Sequence, residues 1–222
     1  MAAYLAAQNW PPGSRIVILS KNCAWWIMAE LASWMAGHVT VPIYASLGAQ
    51  SIRTLIEHCE PVCCFIGAVE DRRVATEAFP PGIPRIAFPT GNDPSAATWA
   101  SIIAANAPYA ASPVRAMDEV ATIIYTSGTT GTPKGVLHRF ASFGYFVRAQ
   151  TRVVGEPTND RFLSYLPLAH IAERALVEAL GSCGAALVDV AAVASIDLKA
   201  DEPGLLELAR WQGWTVRFYP AA

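Results

Sequence analysis

Short runs of apolar and β-branched residues return along this chain between stretches of helical spacing, and that alternation limits what the chain can fold into. Arg15-Ile16-Val17-Ile18-Leu19 follows the turn residues Pro11-Pro12-Gly13-Ser14 and reads as a short strand. Asn22 is placed to cap a helix from about Cys23 to Ala36, ended by Gly37, in which Trp26, Ile27, Leu31 and Trp34 recur at helical spacing. Val39-Thr40-Val41 reads as a second strand stopped by Pro42, Ala49 to His58 as a helix, and Val62 to Ile66 as a buried strand. A helix from Glu70 to Ala78 leads to another apolar run, Arg85-Ile86-Ala87-Phe88. Pro89 to Pro113 is rich in Pro, Ala, Ser and Asn and reads as a surface crossing with one short helix near Thr98 to Asn106. Strands alternating with helices at such intervals predict an α/β fold, with mostly parallel sheets and flanking helices.

The stretch from Thr122 to Val136 changes character halfway. Ile123 and Ile124 suit a buried strand, and the strand from Val120 to Tyr125 runs into a loop of hydroxyls and glycines that ends in Lys134. Gly128, Gly131 and Gly135 let backbone N–H groups approach a ligand closely. Thr126, Ser127, Thr129, Thr130 and Thr132 are donors that carry no charge to repel an anion, and Lys134 is a point charge suited to phosphate. The loop is not a Walker A loop, because Pro133 precedes Lys134 and Gly135 follows it. It reads as a polyphosphate cradle; the competing reading is a surface turn with a solvated lysine, for which so many glycines and hydroxyls have little packing purpose. Beyond it, His138 to Gln150 reads as a helix and Arg161 to Leu166 as a strand. Pro167-Leu168-Ala169-His170 follows, then a helix from about Ile171 to Leu180 that ends at Gly181.

Composition narrows the partners. Of 222 residues, 53% are hydrophobic and 15% charged, which predicts extensive burial and not disorder. The 16 Lys and Arg against 18 Asp and Glu leave a net charge of −2, with no basic footprint for nucleic acid. Five cysteines without Cys-x-x-Cys spacing do not read as a disulfide framework, so a reduced, cytoplasmic setting is expected. The first residues lack the basic region of a signal peptide. The most apolar stretch, Cys23 to Tyr44, carries Glu30, His38 and Pro42 and fails as a transmembrane span; peripheral membrane contact is left open.

With these residues in view, Tyr125-Thr126-Ser127-Gly128-Thr129-Thr130-Gly131-Thr132-Pro133-Lys134-Gly135-Val136 resembles the signature loop of the AMP-forming adenylating superfamily. Ser20-Lys21-Asn22, Trp26 to Glu30 and Ala36 to Tyr44 are similar to the N-terminal part of bacterial long-chain acyl-CoA synthetases. Leu163 to Arg174 is closer still to their second motif, and narrows the resemblance to the long-chain fatty acid–CoA ligase branch. The resemblance runs from about Ala3 to Gly184, so residues 1–184 are expected to form part of an AMP-binding domain, and 185–222 a divergent or frame-altered tail. The family's metal-assisting acid, ribose-holding aspartate and C-terminal-domain lysine have no match here, and its small C-terminal domain is expected to be absent.

The resemblance implies ATP-dependent activation of a fatty acid to an acyl-adenylate and then to acyl-CoA, with ATP, Mg²⁺ and CoA as cofactor and co-substrates. Thr126, Ser127, Gly128, Thr129, Thr130, Gly131 and Lys134 would hold the β- and γ-phosphates, and His170 would line the junction of the acyl and nucleotide sites. Lys134 and His170 are thus the catalytic candidates, and no metal ligand is assigned. Two other readings stand beside this one: a non-catalytic remnant that at most binds nucleotide or a partner, and an enzyme that adenylates for a carrier protein or for oxidation.

The residues keep their plainer alternatives. His170 follows a strand ending in proline, where α/β sheets form ligand crevices, yet a histidine satisfied by backbone near a helix start fits the same position. Glu173 and Arg174 suit a structural pair at least as well as substrate. Tyr125 either closes the cradle or packs in the core. His58, Cys59, Cys63 and Cys64 suggest metal, but Cys63 and Cys64 are adjacent on a strand and point to opposite faces, so buried inert thiols fit better. Trp25, Trp26 and Trp34 read as helix packing.

Overall fold

The computed structural model describes residues 1–71, 73–91, 93–111, 113–126, 133–145, 167–170, 192–196 and 215–219. The chain divides into two compact units, one of residues 1–142 with 167–171, the other of residues 143–166 with 172–222. In the first unit the elements are α1 (Ala2–Ala7), β1 (Arg15–Leu19), α2 (Ala24–Met35), β2 (Val39–Ile43), α3 (Ala49–Cys59), β3 (Cys63–Ile66), α4 (Val74–Glu77), β4 (Arg85–Ala87), β5 (Ala97–Thr98), α5 (Trp99–Ala105), β6 (Val120–Thr126) and β7 (Lys134–Arg139). Their seven strands form one sheet in the order β5-β4-β3-β1-β2-β6-β7, parallel throughout except for the antiparallel β6–β7 pair. In the second unit, β8 (Ala192–Ile196) pairs in parallel with β9 (Thr215–Tyr219).

The central strands are apolar because both faces are covered. On one face Val17, Leu19, Val41, Ile43, Cys64 and Ile66 pack with Ile52, Leu55, Ile56 and Cys59 of α3 and with Val74, Ala78 and Phe79. Alternation sends Thr40 and Phe65 to the other face. There Thr40 meets Glu30 of α2, and Phe65 meets Phe88 and Trp99 at ring separations of 5.8 and 5.9 Å. Trp26 and Trp34 are buried with this layer, as helix packing requires. The α/β architecture with a mostly parallel sheet and helices on both faces is the one that the sequence pattern predicts.

Four local expectations are corrected. The helix α2 is N-capped at Cys23, and Asn22, one residue earlier, instead accepts a hydrogen bond from the Leu168 N–H. The strand β2 runs through Pro42 to Ile43. Val39 donates its N–H toward the β1 side, to Ser14, so alternation turns Pro42 toward β6, and the β2–β6 register is confined to Thr40↔Thr122. A missing N–H beyond that pair costs the sheet no ladder bond. The helix of Glu70 to Ala78 shrinks to α4, because the Glu70 N–H is taken by Ala45 O and the Arg73 N–H by the Asp71 side chain. His138 lies in β7 and not in a helix, since residues 134–139 pair along β6; helix begins only at 140. The expected strand at 161–166, the helices beyond 170 and most of the tail lie outside the described residues.

The helix ends are well closed. Gly37, with φ of 89°, ends α2: its N–H donates to Trp34 O and the His38 N–H to Ser33 O, a Schellman pattern. At the end of α3, Arg15 donates to Cys59 O (2.7 Å) and Glu60 O (3.0 Å), supplying the carbonyls that a helix end leaves without partners. The cysteines nearby are free and buried. Burial pushes the Cys59 and Cys63 thiols up to about 12, which keeps them protonated and poorly nucleophilic.

Candidate functional site

The loop that carries the signature hangs from β6, and β6 is tied to the sheet largely by side chains. Thr122 donates its hydroxyl to Thr40 O at 2.9 Å, and the Trp34 indole N–H donates to Ala121 O at 2.8 Å. Thr40 Oγ1 lies 3.0 Å from Glu30 Oε1 and 3.4 Å from Ala121 O. A hydroxyl has one proton, so the shorter contact to the carboxylate takes the larger share. Glu30, Thr40 and Thr122 are all buried, at 2%, 0% and 0% exposure. Such a dry polar network is costly to break and fixes one position for the strand.

Beyond this anchor the strand pairs with β7. Tyr125 lies opposite Gly135 and Thr126 opposite Lys134. Gly135 is required by close approach: a Cβ there would stand 2.8 Å from Cγ2 of Ile123 and 3.6 Å from the Tyr125 ring. Because Ile123 is stiff at that carbon, Gly135→Ala is expected to cost about 1–3 kcal/mol of stability, read as a lower urea midpoint. An unchanged midpoint would refute this packing.

Tyr125 reaches the helix α3. Its ring packs against the α3 side of the core, and its hydroxyl lies 2.6 Å from Nδ1 of His58. Burial pushes the phenol up to about 12, so it stays protonated and available to that contact. Among the described residues the tyrosine packs beside α3 and ties β6 to it.

What is left at the tip is polar. Thr126 and Lys134 end the two strands side by side and both are exposed, and among the described residues no carboxylate pairs with Lys134. Because β6 runs parallel to β2 and β2 to β1, this tip leaves the sheet at the carboxyl edge of the parallel strands. Ligands of open α/β sheets gather at that edge. Ser127, Gly128, Thr129, Thr130 and Gly131 fall between the two described strand ends and outside the described residues.

His170 reaches the same edge by another route. Pro167 to His170 form a turn closed by His170 N–H donating to Pro167 O at 2.7 Å. Leu168 and Ala169 are buried at 4% exposure each, and His170 is exposed. The turn is held by the 2.8 Å bond from Leu168 N–H to Asn22, just past the end of β1. The strand β1 lies two places from β6 in the sheet, about 10 Å by ordinary strand spacing. The structure thus brings Thr126, Lys134 and His170 to one sheet edge. Glu173 and Arg174 lie outside the described residues. The sequence reading did not find Asn22 or His58 as supports, because each bond joins residues far apart in the chain and nothing local marks it.

The charge pattern fits polyphosphate better than a protein-held metal. An ammonium, a hydroxyl and the loop's N–H groups can take phosphate oxygens. Among the described residues no group of three or more His, Cys, Asp or Glu side chains could hold a metal ion. Among those residues, too, no helix is long and apolar enough to cross a membrane.

Comparison with known proteins gives the family and the fold. A family model described as AMP-binding enzyme matches residues 1–202. The long-chain-fatty-acid–CoA ligase FadD15 of Mycobacterium bovis is 30% identical over 175 residues, covering 74% of this chain and 29% of that protein. Peroxisomal long chain acyl-CoA synthetase 6 of Arabidopsis thaliana is 29% identical over 181 residues, covering 74% and 25%. The chain therefore spans between a quarter and three tenths of the length of these relatives. Among solved structures, the inhibitor-bound N-terminal domain of FACL13 from Mycobacterium tuberculosis superposes with a TM-score of 0.70 at 25% identity, over 83% of this chain and 46% of that one. O-succinylbenzoate coenzyme A synthetase from Bacillus subtilis, in complex with ATP and magnesium ion, gives 0.65 at 20% identity, over 92% and 56%. The fold is that of the N-terminal domain of adenylate-forming enzymes.

Proposed function

Because the chain belongs to the AMP-binding enzyme family, we propose that it takes part in ATP-dependent activation of a fatty acid, first to an acyl-adenylate and then to acyl-CoA. The observation that carries this reading is the exposed Thr126–Lys134 pair, which closes the glycine- and hydroxyl-rich loop at the carboxyl edge of the sheet. The names of the similar ligases and synthetases support the fatty acid and CoA as substrates.

In the first half-reaction a carboxylate oxygen of the fatty acid bonds to the α-phosphorus, and the bond from that phosphorus to the bridging oxygen breaks, releasing pyrophosphate. The carboxylate is already a nucleophile, so no base is needed. The protein's task is to align the reactants and neutralise charge that grows on the leaving group. Thr126, Ser127, Gly128, Thr129, Thr130 and Gly131 would hold the β- and γ-phosphates through hydroxyls and N–H groups. Lys134 would meet the charge with its ammonium. Magnesium bound with the nucleotide would supply further neutralisation. His170 would border the fatty acid's carboxylate. In the second half the CoA sulfur bonds to the acyl carbon, AMP leaves, and the thiol proton passes to solvent.

The reading is tested by fatty-acid-dependent exchange of labelled pyrophosphate into ATP by the purified 222-residue chain. Exchange that requires the fatty acid supports the first half-reaction. ATP binding without exchange would favour the remnant that only binds nucleotide. Supplying CoA or a carrier protein to an exchanging sample then identifies the acceptor.

A further inference from the structure

Asn22 bears on this site although it lies 148 residues before His170 in the chain. It stands where a helix cap is expected, but α2 is capped one residue later, at Cys23. Its Oδ1 accepts the Leu168 N–H at 2.8 Å, and since the donor is a backbone N–H the contacting atom must be the amide oxygen.

The ground beneath Asn22 is stiff. Lys21 donates its N–H to Ala68 O at 2.8 Å and Gly67 donates to Leu19 O at 2.9 Å, so the chain leaving β1 is stitched to the chain leaving β3. Ser20 Oγ donates to Lys21 O at 2.8 Å. The strand β1 has β2 on one side and β3 on the other, so this is the place where the order of the sheet reverses. What is fixed to Asn22 is fixed to that point.

The turn above it has little freedom left. Leu168 and Ala169 are buried, and the His170 N–H closes back on Pro167 O. The two buried residues set the depth of the turn, and the Leu168 bond to Asn22 sets where along the sheet edge it sits. His170 is two residues from that bond.

We propose that Asn22 is a positioning residue for His170: its amide oxygen, by holding the Leu168 N–H, places the imidazole at the carboxyl edge where the fatty acid's carboxylate would meet ATP. This rests on the reading of His170 as a site residue. The requirement is for an acceptor oxygen at one place, which aspartate supplies and alanine does not.

The experiment compares the 222-residue chain with its Asn22→Ala and Asn22→Asp variants. The readouts are amide exchange at Leu168, the imidazole signals of His170, and fatty-acid-dependent pyrophosphate exchange. In Asn22→Ala, Leu168 is expected to exchange about fivefold to tenfold faster, the span of one hydrogen bond, with the His170 signals displaced. Asn22→Asp is expected to stay within about twofold of the parent. Where exchange activity is present, kcat is expected to fall about tenfold in Asn22→Ala with KM for ATP nearly constant, as misplacement of a reacting-site group requires. Unchanged Leu168 exchange and His170 signals in Asn22→Ala would overturn the proposal, as would an Asn22→Asp variant that behaves like alanine. A parent chain inactive in pyrophosphate exchange would refute the adenylation reading, while the amide and imidazole data would still decide the role of Asn22.

Discussion

Replacing Lys134 with alanine is expected to weaken ATP binding about tenfold to a hundredfold while leaving the fold intact. The size follows from charge: a hydrogen bond from an ammonium to phosphate contributes about 1.5–3 kcal/mol, and each 1.4 kcal/mol is a factor of ten in affinity. The silence of the fold follows from exposure. Lys134 is the first residue of β7, its side chain is exposed, and its backbone pairing with Thr126 does not depend on the side chain. A surface change of this kind shifts stability by no more than about 0.5 kcal/mol. Lys134→Arg, which keeps the charge and alters its shape, is expected to recover part of the loss. Calorimetric titration checks both variants. An alanine variant that binds ATP as the parent does would remove Lys134 from the cradle.

Thr40→Val is expected to be the most damaging conservative change in the first unit. Valine has nearly the shape of threonine, so no cavity opens, and the cost is one of polarity. Thr40 is fully buried and donates to a carboxylate oxygen of Glu30, itself 2% exposed. Removing that donor leaves a buried acceptor short of a partner, at about 1–3 kcal/mol and more when the group is charged. The same hydroxyl also touches Ala121 O, so the loss falls where β6 joins β2. The β2–β6 register has a single pair, Thr40↔Thr122, and few ladder bonds can compensate. We expect a loss of about 2–4 kcal/mol in urea unfolding, with faster amide exchange along β6. A loss under about 0.5 kcal/mol would mean that Glu30 does not depend on Thr40.

These two residues differ in how much of their role the sequence carries. Lys134 belongs to a run whose glycines, hydroxyls and charge are adjacent in the chain, so its chemistry can be read locally. Thr40 meets Glu30 and Ala121, 81 residues from it, and nothing in a Val-Thr-Val strand announces that contact. The central strands β1 and β3 are legible because double-sided burial demands unbroken apolar runs such as Ile16 to Leu19. The strand β7 is not. Its Val136 and Leu137 are exposed, the latter at 63%, so burial leaves no alternating pattern, and only pairing with β6 makes it a strand. Pro42 misleads for a related reason: proline ends a strand when its N–H is needed, and here the need depends on how far β6 extends beside it. Asn22 misleads because a cap and a long-range acceptor have the same local look.

At the site, then, sequence supplies the chemistry and tertiary contacts supply the placement. The hairpin tip is held from below by Glu30, Thr40 and Trp34, and from the side by His58 through Tyr125. The turn bearing His170 is held by Asn22.

The most direct measurement is a calorimetric comparison of ATP and AMP binding to the 222-residue chain in the presence of Mg²⁺. If the hairpin holds the β- and γ-phosphates, ATP is expected to bind at least about tenfold more tightly than AMP, since two or more charge-assisted contacts depend on those groups. Equal affinity for the two nucleotides, or no binding of ATP, would contradict the cradle and the adenylation that depends on it.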